Sequence, residues 1–278
     1  MSSGTRRMVL SIIVLAIAGA AVWWWWQGQR ENIEAPAPGP ATPASATPAP
    51  EPVAQTASEA AIQYPLPTPQ DQVPLAVDNI APALTDLLGR KAVDAFLQLG
   101  DFPRRVVATV DNLGRGYAPA SLWPINPTAG RFTVLEQGGG AVIAPGNGAR
   151  YTALVALAES IDPVKTVDLY VQMYPLLQRA YEDLGYPKAY FNDRVIQIID
   201  LLLASPVPGG AVPVQLTEVK GPEPSVRPWV RYEFADPALQ SLAAGQKIMV
   251  RVGPANERRL KARLTALRQE LTARVLPR

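Results

Sequence analysis

Between Met8 and Trp26 the chain reads MVLSIIVLAIAGAAVWWWW, 19 residues without a single charge. A helix of that length, at about 1.5 Å rise per residue, spans roughly the 30 Å hydrocarbon core of a bilayer. No periodic polar face interrupts the run, so it does not read as a core helix. The expectation is one N-terminal transmembrane helix meeting the lipid bilayer through residues 8–26. Arg6 and Arg7 stand directly before it, while Arg30 behind it is offset by Glu31 and Glu34. The positive-inside rule therefore assigns residues 1–7 to the cytoplasm and everything after Trp26 to the far side. Trp23, Trp24, Trp25 and Trp26 close the run where indole rings prefer the headgroup level, and form the expected interface anchor.

The competing reading is a cleaved signal peptide, since Ala18-Gly19-Ala20 follows a basic start and resembles a small-residue cleavage site. The apolar run continues through that site without a polar stretch, which favours an uncleaved signal-anchor.

The next segment, 27–75, carries 11 of the chain's 29 prolines in stretches such as APAPGPATPASATPAPEP and YPLPTPQ. With few large apolar side chains it cannot bury a core, and it reads as a disordered Pro/Ala-rich linker of partly polyproline II character. At about 3.1 Å per residue its contour reaches on the order of 150 Å. Two roles fit, a tether or a docking peptide for a proline-binding partner. No basic residue flanks a PxxP core here, which favours the tether.

Residues 76–278 remain as one globular domain. Composition limits its chemistry: the chain has no Cys and no His. Thiol nucleophiles, disulfides, zinc-finger spacings and Ser-His-Asp triads are excluded, and no Walker or Rossmann spacing appears. No cofactor and no metal is expected. Apolar spacing predicts helices near 82–99, 103–113, 151–160, 163–184, 193–204 and 255–275. Asp162-Pro163 and Asp236-Pro237 read as helix starts, Asn192 or Asp193 as the cap of the helix beginning near 193, and Gly185 before Pro187 as a helix stop. RFTVLEQGGGAVIAP reads as a hairpin turning at Gly138, Gly139 and Gly140, with further strands in VPVQLTEV and WVRYEF. Residues 244–252 fit strand or helix, and APGNGARY (144–151) reads as a turn. The fold class is mainly α with a minor β element, α+β.

Three features bear on function. Val167, Tyr170, Tyr174, Leu177, Tyr181 and Leu184 put three tyrosines on one helical stripe, either an aromatic platform for glycan or peptide or a buried face. From Lys247 onward nine basic residues face two acidic ones, whereas residues 76–246 hold 14 basic and 17 acidic. The basic C-terminal helix can therefore dock on its own acidic body, on anionic lipid or on an acidic partner, with its leucines buried. The whole-chain charge of +2, and the expected location outside the cytoplasm, argue against nucleic acid. Glu159, Asp162, Asp168, Glu182 and Asp183 fall in one region, as paired carboxylates for glycoside hydrolysis would, though helix capping and exposed turns account for several of them. Asp111, Asn112, Arg150, Tyr190, Asn192 and Arg194 are the candidate binding residues; their types equally suit structural polar networks between helices.

The segments VVATVDNL (106–113), NGARYTALVALAESID (147–162), YPLLQRAYEDLGYP (174–187), FNDRVIQIIDLLL (191–203), YEFADPALQSL (232–242) and QKIMVRVGPANERRLKARL (246–264) occur in a recognisable order. In them the chain resembles the bacterial domain-of-unknown-function 3014 family over most of residues 84–272. The resemblance implies a Gram-negative envelope protein with one membrane helix and a Pro/Ala-rich spacer before the domain, and carries no assigned activity, ligand or catalytic residue. The resulting expectation is an inner-membrane protein, N-terminus cytoplasmic, whose periplasmic domain binds an envelope protein or cell-wall partner without catalysis. The alternative is a carboxylate-dependent enzyme acting on cell-wall glycan or peptide.

Overall fold

The computed structural model describes residues 61–67, 74–217 and 227–276. The expected membrane segment 8–26, its tryptophans Trp23–Trp26 and the stub 1–7 lie outside the described residues. Among the described residues no helix is long and apolar enough to cross a membrane.

The chain is mainly helical with one small antiparallel sheet, as the α+β reading holds. Helices α1 (Ile80–Leu88) and α2 (Arg90–Phe96) replace the single helix expected over 82–99. Gly89 separates them at φ +80° and ψ 146°, a conformation that leaves the helix and is open to glycine but not to L side chains. Helix α3 (Phe102–Leu113) follows. The glycine-turned hairpin forms as β1 (Val134–Gln137) and β2 (Gly140–Ile143), after which Pro145–Tyr151 winds as a short 3-10 helix rather than a plain turn. Then come α4 (Thr152–Ser160), α5 (Pro163–Asp183) and α6 (Phe191–Leu203). Strands β3 (Pro213–Leu216) and β4 (Tyr232–Phe234) complete the sheet, and α7 (Pro237–Gln240), α8 (Ala244–Arg251) and α9 (Pro254–Ala273) end the chain.

Local chemistry explains the boundaries. The Asp162 side chain accepts from the Val164 and Lys165 N–H groups, and Asp236 from Ala238, each before a proline at the first helical position. Helix α5 ends through Gly185, at φ +114°: Gly185 N–H bonds the Glu182 carbonyl, Tyr186 N–H bonds the Tyr181 carbonyl, and the two tyrosine rings stack with centroids 4.5 Å apart. That is a Schellman ending with its apolar contact in place. The 244–252 ambiguity resolves to helix α8, whose Met249 and Val250 are buried.

Three apolar clusters form the interior. Ile80, Leu84, Val93, Phe102, Val107, Met173, Leu177, Tyr181 and Phe191 join α1, α2 and α3 to α5 and the start of α6. The sheet, in the order β1-β2-β3-β4 and antiparallel throughout, aligns Ala141 with Val214 and Val214 with Phe234. That row packs with Val250 of α8. The remaining cluster joins Val167, Val171, Ile196, Ile199 and Leu271 around Leu66, a residue from the span expected to be linker.

The basic helix α9 docks on the body's acids. Arg259 makes a two-pronged pair with Glu159 at 2.5 and 2.8 Å, Arg268 meets Asp200 at 2.5 Å and Arg274 meets Asp168 at 2.6 Å. Arg263 donates to the Ala158 and Ile161 carbonyls. Beneath them the buried carboxylate of Glu257 is met by Lys261 at 3.2 Å and by the Ser205 hydroxyl at 3.1 Å. The excess positive charge read from the sequence is thus largely spent within the domain.

Candidate functional site

Residues 61–67, Ala-Ile-Gln-Tyr-Pro-Leu-Pro, lie as a strap, bent at Gln63 and Tyr64, against the start of α6 and the middle of α5. They fall inside the span expected as linker, and here the composition argument fails for a physical reason. A proline-rich segment cannot build a core of its own, but it can insert one side chain into another. Leu66 is 5% exposed, packed among Val167, Val171, Ile196, Ile199 and Leu271. Burying it contributes roughly 2 kcal/mol.

Five main-chain groups of the strap, at Gln63, Tyr64, Pro65 and Leu66, are bonded to the domain. The two carboxylate oxygens of Asp193 accept the Gln63 N–H at 2.9 Å and the Tyr64 N–H at 2.8 Å. Asn192 Nδ2 donates to the Tyr64 carbonyl at 2.9 Å, the Tyr190 hydroxyl accepts the Leu66 N–H at 2.9 Å, and Leu276 N–H donates to the Pro65 carbonyl at 3.0 Å. Beside Leu66 and Pro67 lies a channel of about 550 Å³, lined also by Tyr174, Pro175, Gln178, Arg179, Glu182 and Tyr190 among others.

The receiving residues are positioned by the α5 stripe. Tyr170 OH donates to Asn192 Oδ1 at 3.1 Å, which turns the amide so that its nitrogen faces the strap. Gln178 Oε1 accepts the Phe191 N–H at 2.8 Å and Tyr174 OH accepts the Asn192 N–H at 3.3 Å, so side chains of α5 serve the free donors at the start of α6. The expected cap at Asn192 or Asp193 is therefore corrected: Tyr190 occupies the cap position and makes no side-chain cap bond. Asn192, fully buried, and Asp193 face the strap instead. Tyr170 and Tyr174 have phenol pKa values well above the usual range, first because burial penalises the phenolate and then because neighbouring tyrosines do. Both act here as neutral hydroxyls.

A second network lies on the other side of α6. Asp111, 2% exposed, accepts from Arg115 Nη2 at 2.6 Å and from the Tyr186 hydroxyl at 3.2 Å, and pairs with Arg194 Nη2 at 3.1 Å. Arg194 also donates to the Asp111 carbonyl and to Gln197. The Arg115 pKa is raised, chiefly by its bond to Asp111. This network ties α3 to α6 and to the end of α5.

Of the six candidate residues, the structure brings Asp111 and Arg194 together in this network and Tyr190 and Asn192 together at the strap. The other two stand apart. Asn112 Nδ2 donates to the Ala108 carbonyl within its own helix. Arg150 holds a distant loop through the Ala129 and Gly130 carbonyls. Residues the candidate set omits are Asp193, Gln178, Tyr64 and Leu66; an aromatic and a leucine spaced by proline in an Ala/Pro/Thr stretch were the available signal.

Of the five acids considered for hydrolysis, four are engaged in structure, while Asp183 lines the channel beside Glu182. Glu159 pairs with Arg259 and Asp168 with Arg274, Asp162 caps α5, and Glu182 accepts from Gln178. Among the described residues no three His, Cys, Asp or Glu side chains are grouped so as to hold a metal ion.

No curated protein and no solved structure matches the chain. A family model described as "Protein of unknown function (DUF3014)" matches residues 102–268, which takes in α3 to most of α9 and every strap-binding residue except Leu271 and Leu276. That match spans more than half of the sequence, and the chain belongs to this family.

Proposed function

We propose that this chain is a single-pass inner-membrane protein, N-terminus cytoplasmic, whose tethered periplasmic domain binds another envelope component without acting on it chemically. The observation that carries the binding half is the groove between α5 and α6, whose Tyr190, Asn192 and Asp193 engage a segment through its main chain. Such backbone-directed polar groups beside one apolar socket are how peptide-binding grooves work. The membrane half rests on the uncharged run 8–26 and on Arg6 and Arg7 before it. With the strap docked, the tether comprises residues 27–60, whose greatest contour is about 105 Å at 3.1 Å per residue.

The enzyme reading asks for two carboxylates converging in a cleft. The engagement of Glu159, Asp162, Asp168 and Glu182 in pairs, caps and side-chain bonds favours binding over hydrolysis.

The test uses the full chain in living cells. A photo-crosslinking side chain at Arg179 or Glu182, on the groove, is expected to capture an envelope component that the same group at Leu135, on β1, does not. A reporter fused after Arg278 is expected to be active only outside the cytoplasm; activity confined to the cytoplasm contradicts the reading.

A further inference from the structure

The bonds that hold the strap define what else the groove can hold. Residues 63, 64 and 66 each give an N–H to the domain, to Asp193 twice and to Tyr190 once. Proline is therefore excluded at those three positions. At 65 and 67, where the chain has Pro65 and Pro67, the groove asks for no N–H. Position 64 packs an aromatic ring against the apolar cluster that position 66 enters with an aliphatic side chain. Gln63 and Ile62 are exposed. Two of the receiving groups are placed by the domain itself: Asn192 is turned by Tyr170, and the Tyr190 ring packs on Tyr174 with centroids 5.2 Å apart. The channel beside Leu66 and Pro67 adds charges of both signs, Arg179 and Glu182.

We infer that the α5–α6 groove is a recognition site for protein segments of the pattern aromatic-Pro-aliphatic-Pro, and that residues 63–67 are its resident occupant, displaced when a partner presents the same pattern in trans. This rests on the binding reading above and names the ligand class for it. Because the strap is covalently attached, it competes at an effective concentration in the millimolar range. A free peptide accordingly sees only the fraction of grooves whose strap is out, and its apparent affinity falls by that fraction. The device keeps the site closed to weak ligands and open to partners that also engage Arg179 and Glu182 in the channel.

The experiment uses the full chain in detergent micelles and a fluorescent peptide with the sequence of residues 61–67, followed by anisotropy. Leu66→Asp in the chain expels the strap's anchor while leaving the groove intact, and is expected to raise peptide affinity at least tenfold over the unmodified chain. Adding Asp193→Ala to Leu66→Asp is expected to abolish that gain, and a peptide with proline in place of its leucine is expected not to bind. A folded Leu66→Asp chain that binds the peptide no better than the unmodified one overturns the inference. So does equal binding of the proline-substituted peptide. If Leu66→Asp does not fold, the decision passes to a spin label at Ile62→Cys, unique because the chain has no native cysteine. Excess unlabelled peptide is expected to mobilise the label, and an unchanged spectrum at millimolar peptide overturns the inference. Outcomes here separate from those of the broader reading. Groove-specific crosslinking in cells without peptide binding in vitro removes only the sequence pattern, whereas a cytoplasmic reporter removes the envelope assignment and leaves peptide binding standing.

Discussion

Asn192 and Tyr64, 128 residues apart in sequence, meet through one hydrogen bond: the Asn192 amide nitrogen donates to the Tyr64 carbonyl at 2.9 Å. The same amide oxygen accepts from Tyr170 at 3.1 Å, so one fully buried side chain links α5, α6 and the strap. Asn192→Ala leaves the Tyr170 hydroxyl without its acceptor in the interior and the Tyr64 carbonyl without its donor. The expected loss is about 1–3 kcal/mol, the cost of an unsatisfied buried polar group. Urea unfolding followed by far-ultraviolet circular dichroism checks it, and a shift under 0.5 kcal/mol would count against the linking role.

Asp111 and its two arginines differ sharply in burial, which sets the order of their effects. Removing the carboxylate with Asp111→Ala strands Arg194, whose side chain is 20% exposed, and is expected to cost about 3–5 kcal/mol. Arg115 is 53% exposed at its side chain, so Arg115→Ala is expected to cost no more than about 1 kcal/mol. Equal losses for the two variants in the same urea series would show that the pairing is not organised as described.

Gly114 makes room for Arg194. A β-carbon there would sit 2.8 Å from Arg194 Nη2 and 2.8 Å from Ile198 Cδ1. Gly114→Ala is therefore expected to destabilise by about 1–3 kcal/mol through overpacking. In an Arg194→Ala background the cost of Gly114→Ala is expected to shrink, because one of the two clashing groups is gone. A double-mutant cycle reads the difference, and strict additivity would refute it.

Tyr170, Tyr174 and Tyr181 all have pKa values raised above the ordinary value of 10.0, each chiefly by burial. A group whose folded pKa lies above its unfolded one contributes stability that is complete below the unfolded value and lost as pH rises past it. Stability is accordingly expected to fall as pH climbs above about 10, the ordinary tyrosine value. In an ultraviolet tyrosinate titration these three phenols are expected to ionise only as the domain unfolds. On the acid side the sign reverses. Glu159, held below its ordinary value by the bond to Arg259, supports the fold above that value and ceases to do so as pH drops through the lowered one. All nine tyrosines of the chain titrating together near 10 with the fold intact would contradict the alkaline half.

Much of the helical body was legible because long segments repeat their apolar residues every three or four positions and carry their own punctuation, as Asp162-Pro163 and Gly185 do for α5. The break at Gly89 was not, since the apolar period continues on both sides and only a backbone angle divides α1 from α2. Residues 244–251 are too few for periodicity to choose, and packing of Met249 and Val250 decides them. The candidate site was half legible. Residue type pointed to Tyr190, Asn192, Asp111 and Arg194, but type alone cannot say that Arg150 serves a loop or that Asp193 grips a distant strap rather than capping its own helix. The strap was hidden by composition, because its prolines read as chain that cannot pack, while the two residues that do pack, Tyr64 and Leu66, are few against that background.

The central claim is that residues 63–67 rest in the α5–α6 groove as a bound peptide, with Asp193 holding two of its amides at 2.8 and 2.9 Å. Amide hydrogen exchange on the full chain measures this most directly. Gln63, Tyr64 and Leu66 are expected to exchange far more slowly than an unstructured chain, and Asp193→Ala is expected to release Gln63 and Tyr64 while α3 keeps its protection. Exchange of all three at unstructured rates in the unmodified chain would contradict the account.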